Sequence, residues 1–278
     1  MNNDNPGWWQ RLFDPYTAKI TKQLDRSQYY LDKGSALMEQ GDFAGSVTLY
    51  DKCLALRERL VSQEGRYDLE SALAQAYLYK GQALNSLGNL SGALALFDKC
   101  IALYQRQLSL KEQADEDKIA LVQAYLCKAN TLHKKGNLQD AVVLFRKSIS
   151  SYELMVQQQG RSDLQPELAT MYMKLGIVLE EQKNLTAAMT QYDRCIALRE
   201  RLVQQEGRQE LTGDLAQVQL HCANVHRKLC NRQQAQSLAR PAMRLLEDEF
   251  RRTGRVDQQY MLEWARENLR DVLREDRS

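Results

Sequence analysis

The densest cluster of chemistry-bearing side chains is His221-Cys222-x3-His226-x3-Cys230, two imidazoles and two thiols of the type that ligates zinc. Cys222, His226 and Cys230 fall four residues apart, so on a helix they share one stripe whose successive turns stand about 5.4 Å apart. One ion reaches two adjacent members of such a stripe, hardly all three, and the pattern reads as packing with no metal. Carboxylates gather at Asp115-Glu116-Asp117, a helix start where they favour the N–H end of the dipole. Glu180-Glu181 and Glu247-Asp248-Glu249 read as solvated faces rather than acid–base pairs. No glycine-rich phosphate loop, Gly-x-Ser-x-Gly elbow or His-Glu-x-x-His motif occurs. The residues give no catalytic constellation, and the expectation is a non-enzyme without a cofactor.

What would position any working residue is a repeat. Aligning on a small residue gives Gly34, Gly81, Ala129, Gly176 and Ala223, separated by 47, 48, 47 and 47 residues. Four residues earlier stand Tyr30, Tyr77, Tyr125, Tyr172 and Gln219; sixteen later stand Tyr50, Phe97, Phe145, Tyr192 and Ala239. Twelve later come Ser46, Ala93, Ala141, Ala188 and Ala235. Small residues at fixed places let two helix backbones approach, and the aromatics fill the remaining space. Gly41-Asp42, Gly88-Asn89 and Gly136-Asn137 are turns that end one helix and cap the next. Gly65-Arg66, Gly160-Arg161, Gly207-Arg208 and Gly254-Arg255 close the units. The unit is helix, tight turn, helix, glycine stop.

Composition sets outer bounds. A formal charge of +2 over 278 residues argues against broad binding to a nucleic-acid backbone. Cys53, Cys100 and Cys195 recur at one small core position, where a free thiol acts as an apolar residue, which points to a reducing cytoplasm. The N-terminus lacks the pattern of a signal peptide, and no apolar window is long enough to cross a membrane.

Along the chain, Trp8, Trp9, Leu12 and Phe13 form an apolar cluster that covers the first repeat or makes an end contact (Trp8, Trp9 and Phe13). Asp14-Pro15 reads as the start of a helix reaching Gln40. Helices are expected at 43–64, 67–87, 90–112, 115–135, 138–159, 163–182, 185–206, 210–229 and 232–252, then one more at 256–276. Pro241 is expected to kink or break its helix, and the arginines of the two LRERL segments to decorate the outer helices. The division follows as a tail at 1–14, a repeat array at 15–255 and a capping helix at 256–278.

The recurring aromatic, small, turn, alanine and aromatic positions resemble the tetratricopeptide repeat (TPR), over residues 31–245. These units exceed the usual period of about 34 residues and resemble the elongated repeats of large bacterial proteins and kinesin light chains. The resemblance implies an all-α, right-handed α-solenoid of antiparallel helix pairs, five repeats and a terminal cap. It also implies a concave face lined by the first helix of each unit. Carried over position by position, that face holds Gln28, Gln75, Gln123 and Gln217; Asp32, Tyr79, Cys127, Lys174 and His221; and Ser35, Gln82, Asn130, Ile177 and Asn224. The implied function is a non-catalytic scaffold or adaptor that binds another protein or a peptide segment. The alternatives are a homo-oligomer joined through its ends, or a regulatory partner of a separate effector such as a CHAT-type peptidase.

Overall fold

The structure is a computed structural model that describes residues 8–110 and 115–273, with side chains from Thr17 onward. The described residues are all-α, without a strand, and fall into two compact units, Met1–Asn137 and Leu138–Ser278. The first holds α1 (Trp8–Glu39), α2 (Phe43–Ser62), α3 (Glu70–Ser86), α4 (Leu90–Leu110) and α5 (Asp115–Lys134). The second holds α6 (Leu138–Gln158), α7 (Gln165–Glu181), α8 (Leu185–Gln204), α9 (Thr212–Lys228), α10 (Arg232–Thr253), α11 (Val256–Asn268) and the single turn α12 (Arg270–Leu273). No described helix is long and apolar enough to cross a membrane.

In three of the pairs the backbones approach because a hydrogen replaces a side chain. A Cβ built on Gly34 would lie 2.6 Å from the Tyr50 ring, one on Gly81 2.5 Å from Phe97, and one on Gly176 2.4 Å from Tyr192. Those rings are almost wholly buried. The last pair, α9 and α10, solves the same problem differently: Ala223 and Ala239 replace glycine and ring, and both are fully buried. Cys53, Cys100 and Cys195 are buried free thiols, and burial pushes the Cys100 thiol up to about 12 and that of Cys195 to about 11.

The turns follow the glycines, with two exceptions. Lys183 and Cys230 take the left-handed conformation at φ 63° and 61°, where earlier copies use Gly41, Gly88 and Gly136; a side chain there costs about 1 kcal/mol more than glycine. Asp42 and Asn184 cap the following helices by accepting from Gly45 N–H and Ala187 N–H. At the unit ends an acid two residues after each Gly-Arg completes the corner. Arg66 pairs with Asp68, Arg161 with Asp163, Arg208 with Glu210 and Arg255 with Asp257. The first three of these corners pass through a 3-10 turn (Tyr67–Leu69, Ser162–Leu164, Gln209–Leu211) before the α-helix proper.

Three expectations are corrected. The first helix already begins at Trp8, so Asp14-Pro15 lies within it. Pro241 does not break α10: it and Ser237, whose carbonyl would have received the missing N–H, both lie on the exposed side of a helix that runs on to Thr253. The final segment is not one helix but is interrupted at Leu269. Leu262 and Ala265 of α11 stand at the repeat positions of Leu215 and Val218, but Arg270 falls where the close-approach glycine or alanine should be. The chain breaks there, keeping Arg270 exposed while Leu269 and Val272 enter the core. Residues 256–268 thus keep the register of a further first helix up to the break at Leu269.

Candidate functional site

Successive first helices are neighbours within each unit: α1 touches α3, α3 touches α5, and α7 touches α9. The contact has named atoms, since Gln82 Nε2 of α3 donates to Cys127 Sγ of α5 at 3.3 Å. The positions assigned to the ladders therefore come together on a shared face in the first unit.

On α1, Gln28 and Asp32 are exposed and Ser35 half-buried. Gln28 Nε2 donates to Asp32 at 2.8 Å, and Ser35 Oγ donates to the Leu31 carbonyl at 3.1 Å while lying 3.3 Å from the Tyr50 hydroxyl. On α3, Gln75, Tyr79 and Gln82 are half-buried, with the Tyr79 ring 6.1 Å from that of Tyr50. On α5, Gln123 is exposed and Cys127 and Asn130 half-buried. Among the described residues, neither Gln75 nor Gln123 spends its amide on another protein group. An amide offers two donors and one acceptor, matching an extended backbone without demanding a sequence.

A buried cation underlies this face and was missed. Arg57, from the first LRERL segment, is 3% exposed rather than displayed outside, and Arg199 of the second is 2% exposed. Arg57 donates to Ser27 Oγ at 3.3 Å, to Gln28 Oε1 at 2.9 Å and to the Ala72 carbonyl. Arg199 donates to Thr170 Oγ1 at 3.3 Å and to the Asp214 carbonyl. Each guanidinium thus ties two first helices together across the second helix between them, and in the first unit it fixes a ladder residue. Tyr104, Tyr152 and Leu246 hold the equivalent position in the other copies, so the arginine looks optional in a pattern search.

The second unit treats the same positions differently. Lys174 and Ile177 on α7 are half-buried. On α9, Gln217 Nε2 donates to Asp257 of α11 at 3.4 Å. His221 is held between the Tyr192 ring at 5.7 Å and the Trp264 ring of α11 at 4.6 Å. Burial, with the Lys228 charge adding and Glu180 opposing, lowers its imidazole to about 4. Asn224 is corrected outright: it is 2% exposed and donates to Glu180 at 2.6 Å. Glu180 also receives Lys228 at 2.7 Å and the Tyr192 hydroxyl at 2.8 Å, a closed network joining α7, α8 and α9. Of the ladder residues on α9 only Asn224 is buried, while Gln217 and His221 are half-buried and engaged by α11. The end-contact candidates Trp8, Trp9 and Phe13 lie outside the residues whose side chains are described.

Residues 27–65, 73–109 and 168–207 match the model of the tetratricopeptide repeat. Among solved structures the chain is similar to BtubC (BKLC) from P. vanneervenii, with a TM-score of 0.63 at 16% identity over 84% of this chain and 90% of that one. It is similar to the TPR-like repeats of a kinesin-light-chain-like protein from Podosopora anserina, at TM-score 0.61 and 15% identity, covering 81% and 96%. Aspartyl phosphate phosphatase F from Bacillus subtilis gives TM-score 0.65 at 15% identity, covering 98% of this chain and 66% of that one. At such identities the likeness concerns the fold. A comparison with curated proteins returns no match.

Proposed function

From a chain that carries tetratricopeptide repeats, we propose a non-catalytic protein-binding scaffold whose working surface is the face formed by α1, α3 and α5. One observation carries this reading: Gln75 and Gln123 stand at the same repeat position on adjacent first helices, with amides uncommitted to the protein. Arg57 and the Gln82–Cys127 contact hold the helices around them, so the amides are presented on rigid elements. The occupant is an extended segment of another protein, held through its backbone amides. The four buried thiols (Cys53, Cys100, Cys195 and Cys222) fit work in a reducing compartment, and the proposal places the protein in the cytoplasm.

The test is affinity for a segment captured from the native cell. Gln75→Glu with Gln123→Glu removes donors and adds charge, and is expected to weaken binding by about tenfold or more. Gln217→Ala, on the side closed by α11, is expected to leave affinity within about twofold. Full binding by the double variant would refute the assignment.

A further inference from the structure

A second surface follows from how the repeats join. In α3, Tyr77 donates its hydroxyl to Glu58 of α2 at 2.5 Å, and Lys80 pairs with Asp51 of the same helix. The next junction repeats the arrangement: Gln105 of α4 donates to the Tyr125 hydroxyl at 2.8 Å, and Lys128 pairs with Asp98. Each junction thus matches a Tyr-x2-Lys on the first helix with two polar residues seven apart on an antiparallel helix, where that spacing places them on one side.

α1 carries the same pair as Tyr30 and Lys33, but it packs on α2 and α3, and among the described residues no carboxylate meets either side chain. Tyr30 accepts instead from Arg26 Nε at 2.9 Å, and Lys33 Nζ reaches the Tyr29 hydroxyl at 3.5 Å. Lys52 lies 5.8 Å from the centre of the Tyr30 ring, as Lys99 lies 5.2 Å from that of Tyr77, so the tyrosine is held as in the completed junction. Tyr29 is 57% exposed, and Lys19, Lys22, Arg26 and Lys33 are exposed too. At 3.6 residues per turn these six residues occupy a sector about 100° wide.

Two differences from α3 narrow the occupant. Leu73 and Ala76 are buried in α3, and their counterparts in α1 are Arg26 and Tyr29. These larger side chains forbid the close approach of an ordinary neighbouring repeat, and they add a cation. We propose that this stripe is a docking site for an acidic amphipathic helix of another protein, running antiparallel to α1. Its two carboxylates stand seven residues apart, the earlier meeting Lys33 and the later Tyr30. The cations repel a second α1, and the carboxylate partners at the internal junctions give the match its chemistry. The site lies apart from the glutamine face and does not depend on it.

The test uses the full chain and a helix-stapled synthetic peptide copying residues 43–62, which carries Asp51 and Glu58, read by fluorescence anisotropy. A peptide with Asp51→Lys is expected to bind the chain about tenfold more weakly. Lys33→Glu in the chain is expected to lose the parent peptide by a similar factor and to recover the Asp51→Lys peptide, a swap that a general loss of folding cannot produce. Tyr30→Phe weakens the parent peptide about threefold, while Gln75→Glu leaves it unchanged. Equal binding of the parent and Asp51→Lys peptides, no binding of the parent, or failure of the charge swap overturns the proposal. So does Lys33-dependent binding of single-stranded RNA or phosphatidylserine vesicles tighter than that of the parent peptide.

Discussion

The first helices α3 and α9 occupy the same place in the repeat and meet different fates. On α3, Gln75 stays uncommitted beside Tyr79 and Gln82; on α9, Gln217, His221 and Asn224 are taken up by Asp257, Trp264 and Glu180. For Asn224 the difference is Glu180 of α7; for Gln217 and His221 it is a neighbour. α11 keeps the register of a further first helix, and Trp264, standing at the glutamine position of that register, lies on His221. One repeat position therefore serves as open polar surface or as core, according to what the adjoining helices carry.

Arg57 is the widest lever on the open side. Arg57→Ala removes the bonds to Ser27, Gln28 and the Ala72 carbonyl and leaves a void, and is expected to cost about 2–4 kcal/mol in chemical denaturation. Arg57→Leu, the residue type at the last copy's equivalent position, is expected to cost less. No loss in Arg57→Leu would show that the guanidinium contributes nothing.

Gly81→Ala drives a methyl into the Phe97 ring and is expected to cost about 1–3 kcal/mol. On α9, Ala223→Gly, opposite Ala239, should cost about 1–2 kcal/mol, the helical penalty plus the loss of a buried methyl. A Gly81→Ala chain as stable as the parent would mean that the glycine–ring contact is not what sets the helix spacing.

A pH titration separates the two ends further. The His221 pKa is held near 4 in the fold against 6.5 for the free side chain, so between those values the unfolded chain binds the extra proton. Its contribution to stability is complete above pH 6.5 and fades as pH falls toward 4. Glu180, Lys228, Tyr192 and Trp264 face the ring, so the comparison must be with His221→Gln, whose melting curve is expected to depend less on pH across that window. Trp264→Ala should move the imidazole back toward 6.5, read by NMR titration. An unchanged imidazole would show that Trp264 does not keep His221 from water.

The smallest effect belongs to the exposed junction pairs. Lys80→Met is expected to change stability by about 0–1 kcal/mol, since its partner Asp51 is 56% exposed. A larger loss would assign these pairs a structural weight the account withholds.

Helix order was legible because the glycine, aromatic and turn positions repeat at nearly constant spacing, so each copy reinforced the rest. The buried arginines were not, since an arginine in a charged LRERL run carries no sign of burial, and its partners Ala72 and Asp214 offer backbone carbonyls. Nor was the fate of Asn224 legible. Its place in the ladder is the same as that of Gln82, and only Glu180, unique among the copies at its position, turns it inward. The acid after each Gly-Arg was a readable signal, present in all four corners as Asp68, Asp163, Glu210 and Asp257.

The most direct test places a photo-crosslinking amino acid at Gln75, at Gln123 and, separately, at Gln217 in the full chain, with illumination in the native cell. The account predicts a shared crosslinked protein from the first two positions and none from Gln217. Capture at Gln217 equal to that at Gln75, or none at either glutamine of α3 and α5, would contradict it.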